Sequence, residues 1–365
     1  PLPPTRPDRS RMGGRRPRFS QYQERDTLNT KLIIVDGLPG SGKSSTSQFI
    51  CDQLQRNGRK SRWYYEEEEP HPVAPTKGLR DFGSPEEYSQ AALDRWKAFT
   101  SAAMESDEIA IIESRFFQDA IFPFLMNDLD RPLILDYIHG IAKVCQPLNP
   151  NLIYLFQPDY TATMRRICNQ RGPGIEQAYI ERNEKSTYGR RLGLQGFDGL
   201  VQFWVDLRSI MEQLFEELDI PKLAINNTER DWRSYYHQIG EFLSLPLHLG
   251  DSPSRQDYLA RFEGIYTYRR DEEDIEFSIC LEDGELMVHD YGWFWPTDRL
   301  VPKEENVFYL GSWPFEMIFT QDDSGKIVSA TRVNPTGDWR VTGQEYPKIG
   351  EIPETARQTS SSSST

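Results

Sequence analysis

Lys31-Leu-Ile-Ile-Val-Asp-Gly-Leu-Pro-Gly-Ser-Gly-Lys-Ser44 decides how the rest of the chain is read. Lys31 to Asp36 is a near-continuous apolar run, the pattern of a strand buried on both faces of a parallel sheet. Gly37 to Ser44 fits G-x-x-x-x-G-K-[ST], and Ser45 to Arg56 follows as a helix-compatible stretch with Gly58 as its stop. Strand, turn and helix in that order are the context in which the motif holds phosphate. Gly37, Gly40 and Gly42 let backbone N–H groups turn inward without a Cβ clash, Ser41 and Ser45 add amides to the row, and the helix offers its positive end. Lys43 is expected to reach the β- and γ-phosphates, and Ser44 to place its hydroxyl on Mg2+. ATP and Mg2+ are therefore the implied cofactors. The loop by itself speaks for nucleotide binding rather than for a reaction.

Outward from this segment, Ile109 to Ile112, Leu152 to Phe156 and Lys222 to Ile225 are further continuous apolar runs, and Arg62 to Tyr65 is a fifth, less apolar one. Helical stretches lie between them. Ser84-Pro-Glu-Glu supplies an N-cap, a proline at the first helical position and an acid at the third, and places Tyr88, Ala92, Arg95, Trp96 and Phe99 on one face. Strands alternating with helices predict an α/β domain over 29–248, a doubly wound parallel sheet with helices on both faces. After Gly250 the texture changes. Glu276–Leu281 and Glu285–His289 flank Asp283-Gly284, and Met317–Thr320 and Lys326–Thr331 flank Asp322 to Gly325. These read as hairpins of a separate antiparallel β domain over 255–349. The arginine-, proline- and glycine-rich stretch 1–28 and the serine-rich stretch 350–365 hold too little apolar surface to offset ordering entropy and are expected to be disordered tails.

The chain has 365 residues, enough for two domains of ordinary size. With 42 Lys and Arg against 56 Asp and Glu, its net charge of −14 argues against binding duplex nucleic acid along a broad face. It contains no apolar run long enough to cross a membrane. Cys51, Cys145, Cys168 and Cys280 are widely spaced and read as reduced thiols, which favours a cytoplasmic setting. None of the five histidines stands at a zinc-like spacing. The chain is compatible with a homodimer.

In doubly wound sheets ligands gather at the carboxyl ends of the strands, and three clusters occupy such places. Glu66-Glu-Glu-Glu69-Pro70 follows the second strand. The run as a whole reads as a solvated acidic loop with at least one of its four carboxylates entering the site. Glu69, whose direction Pro70 helps to fix, is the candidate to take a proton from an acceptor hydroxyl. Glu113-Ser114-Arg115 follows the third strand. There Glu113 is expected to support Mg2+ and Arg115 to neutralise phosphoryl oxygens. Arg165, Arg166 and Arg171 precede the bend Gly172-Pro-Gly174, a pattern suited to a lid that brings guanidinium groups onto phosphates, with Arg190 and Arg191 as further lid residues. In the β domain, Tyr291, Trp293, Phe294, Trp295, Trp313 and Phe315 either line a pocket or pack a core, and core packing is the expected reading.

Gly37 to Ser44, Glu69-Pro70, Glu113-Ser-Arg115 and the Arg165 to Arg171 stretch together resemble the deoxynucleoside and nucleoside-monophosphate (thymidylate) kinase group over about 31–245. The resemblance implies a general base at Glu69. Where that group has Glu-Arg-Ser after the third strand, this chain has Glu-Ser-Arg, with Arg115 as the arginine. It also implies that Gln90 and Arg95 face the acceptor. The β domain resembles small calycin-like barrels through Gly264-Ile-Tyr266, Asp283-Gly-Glu-Leu286, Leu300-Val-Pro302 and Ile318-Phe319 followed by Asp323-Ser-Gly-Lys326. The expected function is an ATP- and Mg2+-dependent phosphotransferase acting on a small-molecule acceptor, with Lys43, Glu69, Glu113, Arg115, Arg165 and Arg171 catalytic. A regulatory nucleotide-binding protein or ATPase, whose β domain senses a ligand or partner, is the alternative.

Overall fold

The computed structural model describes residues 28–171, 173–249, 256–270, 272–282, 284–291, 297–311, 313–334 and 343–352. The tails expected at 1–28 and 350–365 lie almost wholly outside these residues, as do Gly172, Trp293, Phe294 and Trp295.

Five parallel strands form one sheet: β1 (Leu32–Gly37), β2 (Ser61–Tyr64), β3 (Ile109–Glu113), β4 (Asn151–Phe156) and β5 (Lys222–Asn226), in the order β2-β3-β1-β4-β5. β1 is central and completely buried, as its unbroken apolar run requires. Helices α1 (Lys43–Arg56), α2 (Pro85–Glu105), α3 (Gln118–Met126), α4 (Arg131–Cys145), α5 (Tyr160–Arg171), α6 (Pro173–Lys185), α7 (Thr187–Leu192), α8 (Gly196–Glu217) and α9 (Trp232–Phe242) connect and cover the strands. The start of α2 follows its sequence signal: the Ser84 hydroxyl accepts the Glu87 N–H at 3.2 Å, and Pro85 stands in the first turn, where its missing N–H costs nothing.

The two faces of the sheet are covered differently. Leu32, Ile34, Ile112 and Leu152 pack with Trp96, Ile138, Phe203 and Leu207 of α2, α4 and α8. On the other face, Ile33, Val35, Ile111 and Ile153 belong to an apolar cluster that takes in α1 and α9 and runs on into the second half of the chain.

That second half is a closed antiparallel barrel of eight strands: β6 (Gly264–Arg270), β7 (Glu273–Glu282), β8 (Glu285–His289), β9 (Thr297–Glu304), β10 (Val307–Leu310), β11 (Glu316–Gln321), β12 (Ile327–Val333) and β13 (Gln344–Gly350). Both expected hairpins, β7–β8 and β11–β12, are present. Alternate residues point inward, and Phe277, Ile279, Val288, Phe308, Met317 and Tyr346 fill the barrel with large buried side chains, so it is a packed core. The four cysteines form no disulfide. Among the described residues no helix is long and apolar enough to cross a membrane.

Candidate functional site

β1 ends between β3 and β4, where the chain's strand order reverses, and a cavity of about 420 Å³ opens there at the carboxyl ends of the strands. Its floor is the Gly37 to Ser44 loop. Gly40 and Gly42 take φ of 75° and 95°, in the left-handed region. Space excludes a side chain there as well. A Cβ on Gly40 would lie 2.5 Å from Ile167 of α5, and one on Gly42 2.3 Å from Trp232 of α9. The loop is thus clasped by two later elements. Asn227, just after β5, donates to the Ser41 carbonyl at 2.7 Å.

Lys43 is buried, and its ammonium is held by polar groups: Gln118 Oε1 at 3.0 Å, the Leu38 carbonyl at 3.4 Å and Glu66 Oε2 at 3.8 Å. Ser44 donates its hydroxyl to Glu113 Oε1, and the Trp63 indole donates to the other carboxylate oxygen at 2.8 Å. Glu113 is fully buried. Burial first, and then the nearby Glu66 carboxylate, raise its pKa well above the ordinary range, against the pull of Lys43, Ser44 and Trp63. A buried carboxylate with too little positive charge around it, touching a serine hydroxyl, is an oxygen donor set that fits a hard divalent cation such as Mg2+.

Asp36 ties the floor together. Its carboxylate accepts the N–H groups of Gly37, Phe117 and Gln118 at 2.8, 2.7 and 3.1 Å, and burial pushes its pKa up to about 6 despite them. Ser114 turns the chain back toward Asp36 with φ of 66°, a conformation that costs energy in a residue with a Cβ.

The acidic run enters the site, but through Glu66 and Glu67 and not through the expected Glu69. The chain leaves β2 in a turn closed by Glu68 N–H to the Tyr65 carbonyl at 3.0 Å. The turn aims Glu66 and Glu67 into the cavity and folds Glu68 back onto Arg62 at 2.5 Å. Glu69 is exposed and does not line the cavity. The Glu69-Pro70 bond is cis. Arg115 reaches the Glu66 carbonyl and stands 3.5 Å from Asp119, so it braces the turn from outside the lining. Arg165 is exposed, with its guanidinium 3.9 Å from the Phe197 ring centroid. Arg166 and Arg171 do line the cavity; Arg166 donates to the Gly40 carbonyl at 3.3 Å, and Arg171 to the Tyr179 hydroxyl. Arg191 pairs with Asp128, Gln90 with Asp94, and Arg95 bonds the His71 carbonyl, all three outside the lining. Gly40, Gly42, Lys43, Ser44 and Ser45 line the cavity; Gly37, Ser41 and Glu113 lie behind the lining.

Several lining residues carried no motif. Arg182 on α6 stacks over Phe122 at 4.9 Å, and burial depresses its pKa. Arg230 follows β5, where the rule that ligands sit at strand ends gives the signal that points to it. Gln118, Asp119, Trp204 and Trp232 also line the walls, and Trp313 arrives from the barrel. Burial raises the Asp119 pKa, with Arg115 opposing.

No family model matches the chain. It is similar to a thymidylate kinase of Brachyspira hyodysenteriae, with 24% identity over 166 residues, covering 44% of this chain and 76% of that enzyme. A sulfotransferase domain from the curacin biosynthetic pathway is a structural neighbour with a TM-score of 0.34 and 11% identity, covering 61% of this chain and 77% of that one. The distant likeness to the kinase and the parallel sheet fit a P-loop kinase-like fold, and the closed eight-stranded barrel is consistent with a calycin-like second half.

Proposed function

We propose that the chain is an ATP- and Mg2+-dependent phosphotransferase that passes the γ-phosphoryl group to a small acceptor of nucleoside or nucleotide type. The observation that carries this reading is the placement of Lys43 and the Ser44–Glu113 pair on one side of a cavity whose other wall presents Arg166, Arg171 and Arg182. Bound Mg2+ would neutralise phosphate charge, with Ser44 and Glu113 as the residues to hold it. Lys43 binds the phosphates. The guanidinium groups stabilise charge spread over the transferring oxygens, so the work of the site is positioning and electrostatics. Glu66, 3.8 Å from Lys43, replaces Glu69 as the candidate to take the proton of an acceptor hydroxyl. The test is ADP release from Mg·ATP across nucleosides, nucleoside monophosphates, sugars and amino-alcohols, with wild type beside Lys43→Ala. Lys43-dependent release with one acceptor class is expected. Slow release that no acceptor stimulates favours the regulatory reading instead, which the approach of the barrel to the cavity supports.

A further inference from the structure

Among the described residues, the barrel reaches the phosphate cavity through one loop. Between β10 and β11 the chain turns at Gly311 and closes on itself, with Leu310 N–H to the Phe315 carbonyl and Trp313 N–H to the Leu310 carbonyl, both at 3.0 Å. At its tip Trp313 is held from three sides. Asp298 of β9 hydrogen-bonds its side chain, whose one polar atom is the indole N–H. Gln48 of α1 donates to its carbonyl at 3.2 Å. Its ring packs 5.9 Å from that of Tyr65. Gln48 stands one helical turn beyond Ser44, so the loop docks on the same face of α1 that carries the metal-side hydroxyl. Tyr65 is the residue before Glu66, and both, with Trp313, line the cavity.

We infer that the barrel is a wall of the phosphate site, and that Trp313 is a positioning residue that fixes the Tyr65–Glu66 turn against Lys43. The inference rests on the phosphotransferase reading above and deepens it: the second half of the chain becomes part of the catalytic cavity. Trp313 touches no reacting group in this role; it acts through Tyr65 on the direction of the Glu66 carboxylate. Tyr65 and Trp313 are both more than nine-tenths buried, so a shift of one ring displaces the other in a packed contact.

The test is a double-mutant cycle in the full chain, read as steady-state consumption of Mg·ATP with the acceptor that supports it, or with water where none does, beside the Mg·ATP dissociation constant. Trp313→Ala should lower kcat about tenfold while leaving the dissociation constant within about twofold. In a Glu66→Gln background the same substitution should change kcat less than about twofold, because the carboxylate it positions is gone. Trp313→Phe should recover most of the rate. Arg56→Ala, which removes a different contact to the barrel (Arg56 to the Lys303 carbonyl, 3.0 Å), should leave kcat unchanged. Should Trp313→Ala fail to fold, Gln48→Met removes only the tie to the Trp313 carbonyl and should lower kcat a few-fold, again only when Glu66 is present. Equal losses in both backgrounds, tracking the melting temperature, or no loss in wild type, overturn the inference and leave the phosphotransferase reading intact. Wild type that consumes no ATP and binds it no better than Lys43→Ala overturns the reading and the inference together.

Discussion

The two faces of the parallel sheet solve the same problem with different means. One face is covered by α2, α4 and α8, all drawn from the sheet's own half of the chain. The other has α1 and α9, and its apolar cluster continues through Trp63, Tyr65, Trp313 and Phe315 into the barrel. The first face is self-sufficient; the second is completed by residues of the barrel half such as Trp313, which meets Tyr65 across 248 positions of sequence. A cavity floored by β1 and walled by both halves follows from that asymmetry.

The largest effect that sharpens this comparison is truncation. A chain ended at residue 248 keeps the helical face whole and strips the other of its partner, exposing Trp63 and Tyr65, now less than 8% exposed. An uncovered apolar patch of that kind drives association. Aggregation, or a molten species by near-ultraviolet circular dichroism, is expected. A monomeric fragment that melts cooperatively would show that the two faces are equally independent, as a reading of two separate domains at 29–248 and 255–349 anticipates.

Next in size is Lys43→Ala. Its ammonium touches Gln118 and the Leu38 carbonyl on the floor and stands 3.8 Å from Glu66. Affinity for Mg·ATP is expected to fall at least about a hundredfold, as for loss of a charge-assisted phosphate contact in a closed site. Calorimetry checks this, and a melting temperature close to wild type separates it from unfolding.

Glu66→Gln and Glu69→Gln then divide the acidic run. If Glu66 takes the acceptor proton, its substitution should cut turnover about a hundredfold. Glu69→Gln, at an exposed position, should stay within about twofold of wild type. The reverse ranking would return the base to Glu69 and place the Tyr65–Glu68 turn in a different state during turnover.

This pair also marks where the sequence stopped being informative. The strands, the Gly37 to Ser44 turn, the cap at Ser84 and both barrel hairpins are local signals, carried by residues a few positions apart. Which member of Glu66 to Glu69 faces Lys43 depends on a turn closed by the Glu68 N–H on the Tyr65 carbonyl and braced by Arg62 and Arg115, and four consecutive identical residues carry no pattern that could express it. Arg165 and Arg166 are equally alike in sequence, yet Phe197 on α8 takes one and Gly40 the other. Trp313 was legible as a buried aromatic of the β half; that its ring meets Tyr65 is a contact across 248 residues, set by how the barrel docks.

The smallest effect concerns pH and probes the docking loop from the barrel side. Asp298 is largely buried against that loop, and burial pushes its pKa from 3.8 up to about 6, opposed by the Arg299 N–H, the Arg299 charge and the Trp313 indole. A carboxyl whose pKa is raised by folding favours the folded state when protonated. Its contribution is fully present below pH 3.8 and is lost as the pH rises through about 6. Wild type should therefore lose stability between pH 4 and pH 7 relative to Asp298→Asn, by about 1–2 kcal/mol once partial solvent access is allowed for. The substitution itself carries a fixed cost at every pH, so the informative quantity is the difference in slope between the two denaturant-derived stability curves, not their offset. Parallel curves would mean that Asp298 keeps its charge in the fold. The Trp313 loop would then be held by an ionised carboxylate whose hydrogen bond to the indole is stronger than a neutral one, and the barrel's grip on the cavity would be insensitive to pH in this range.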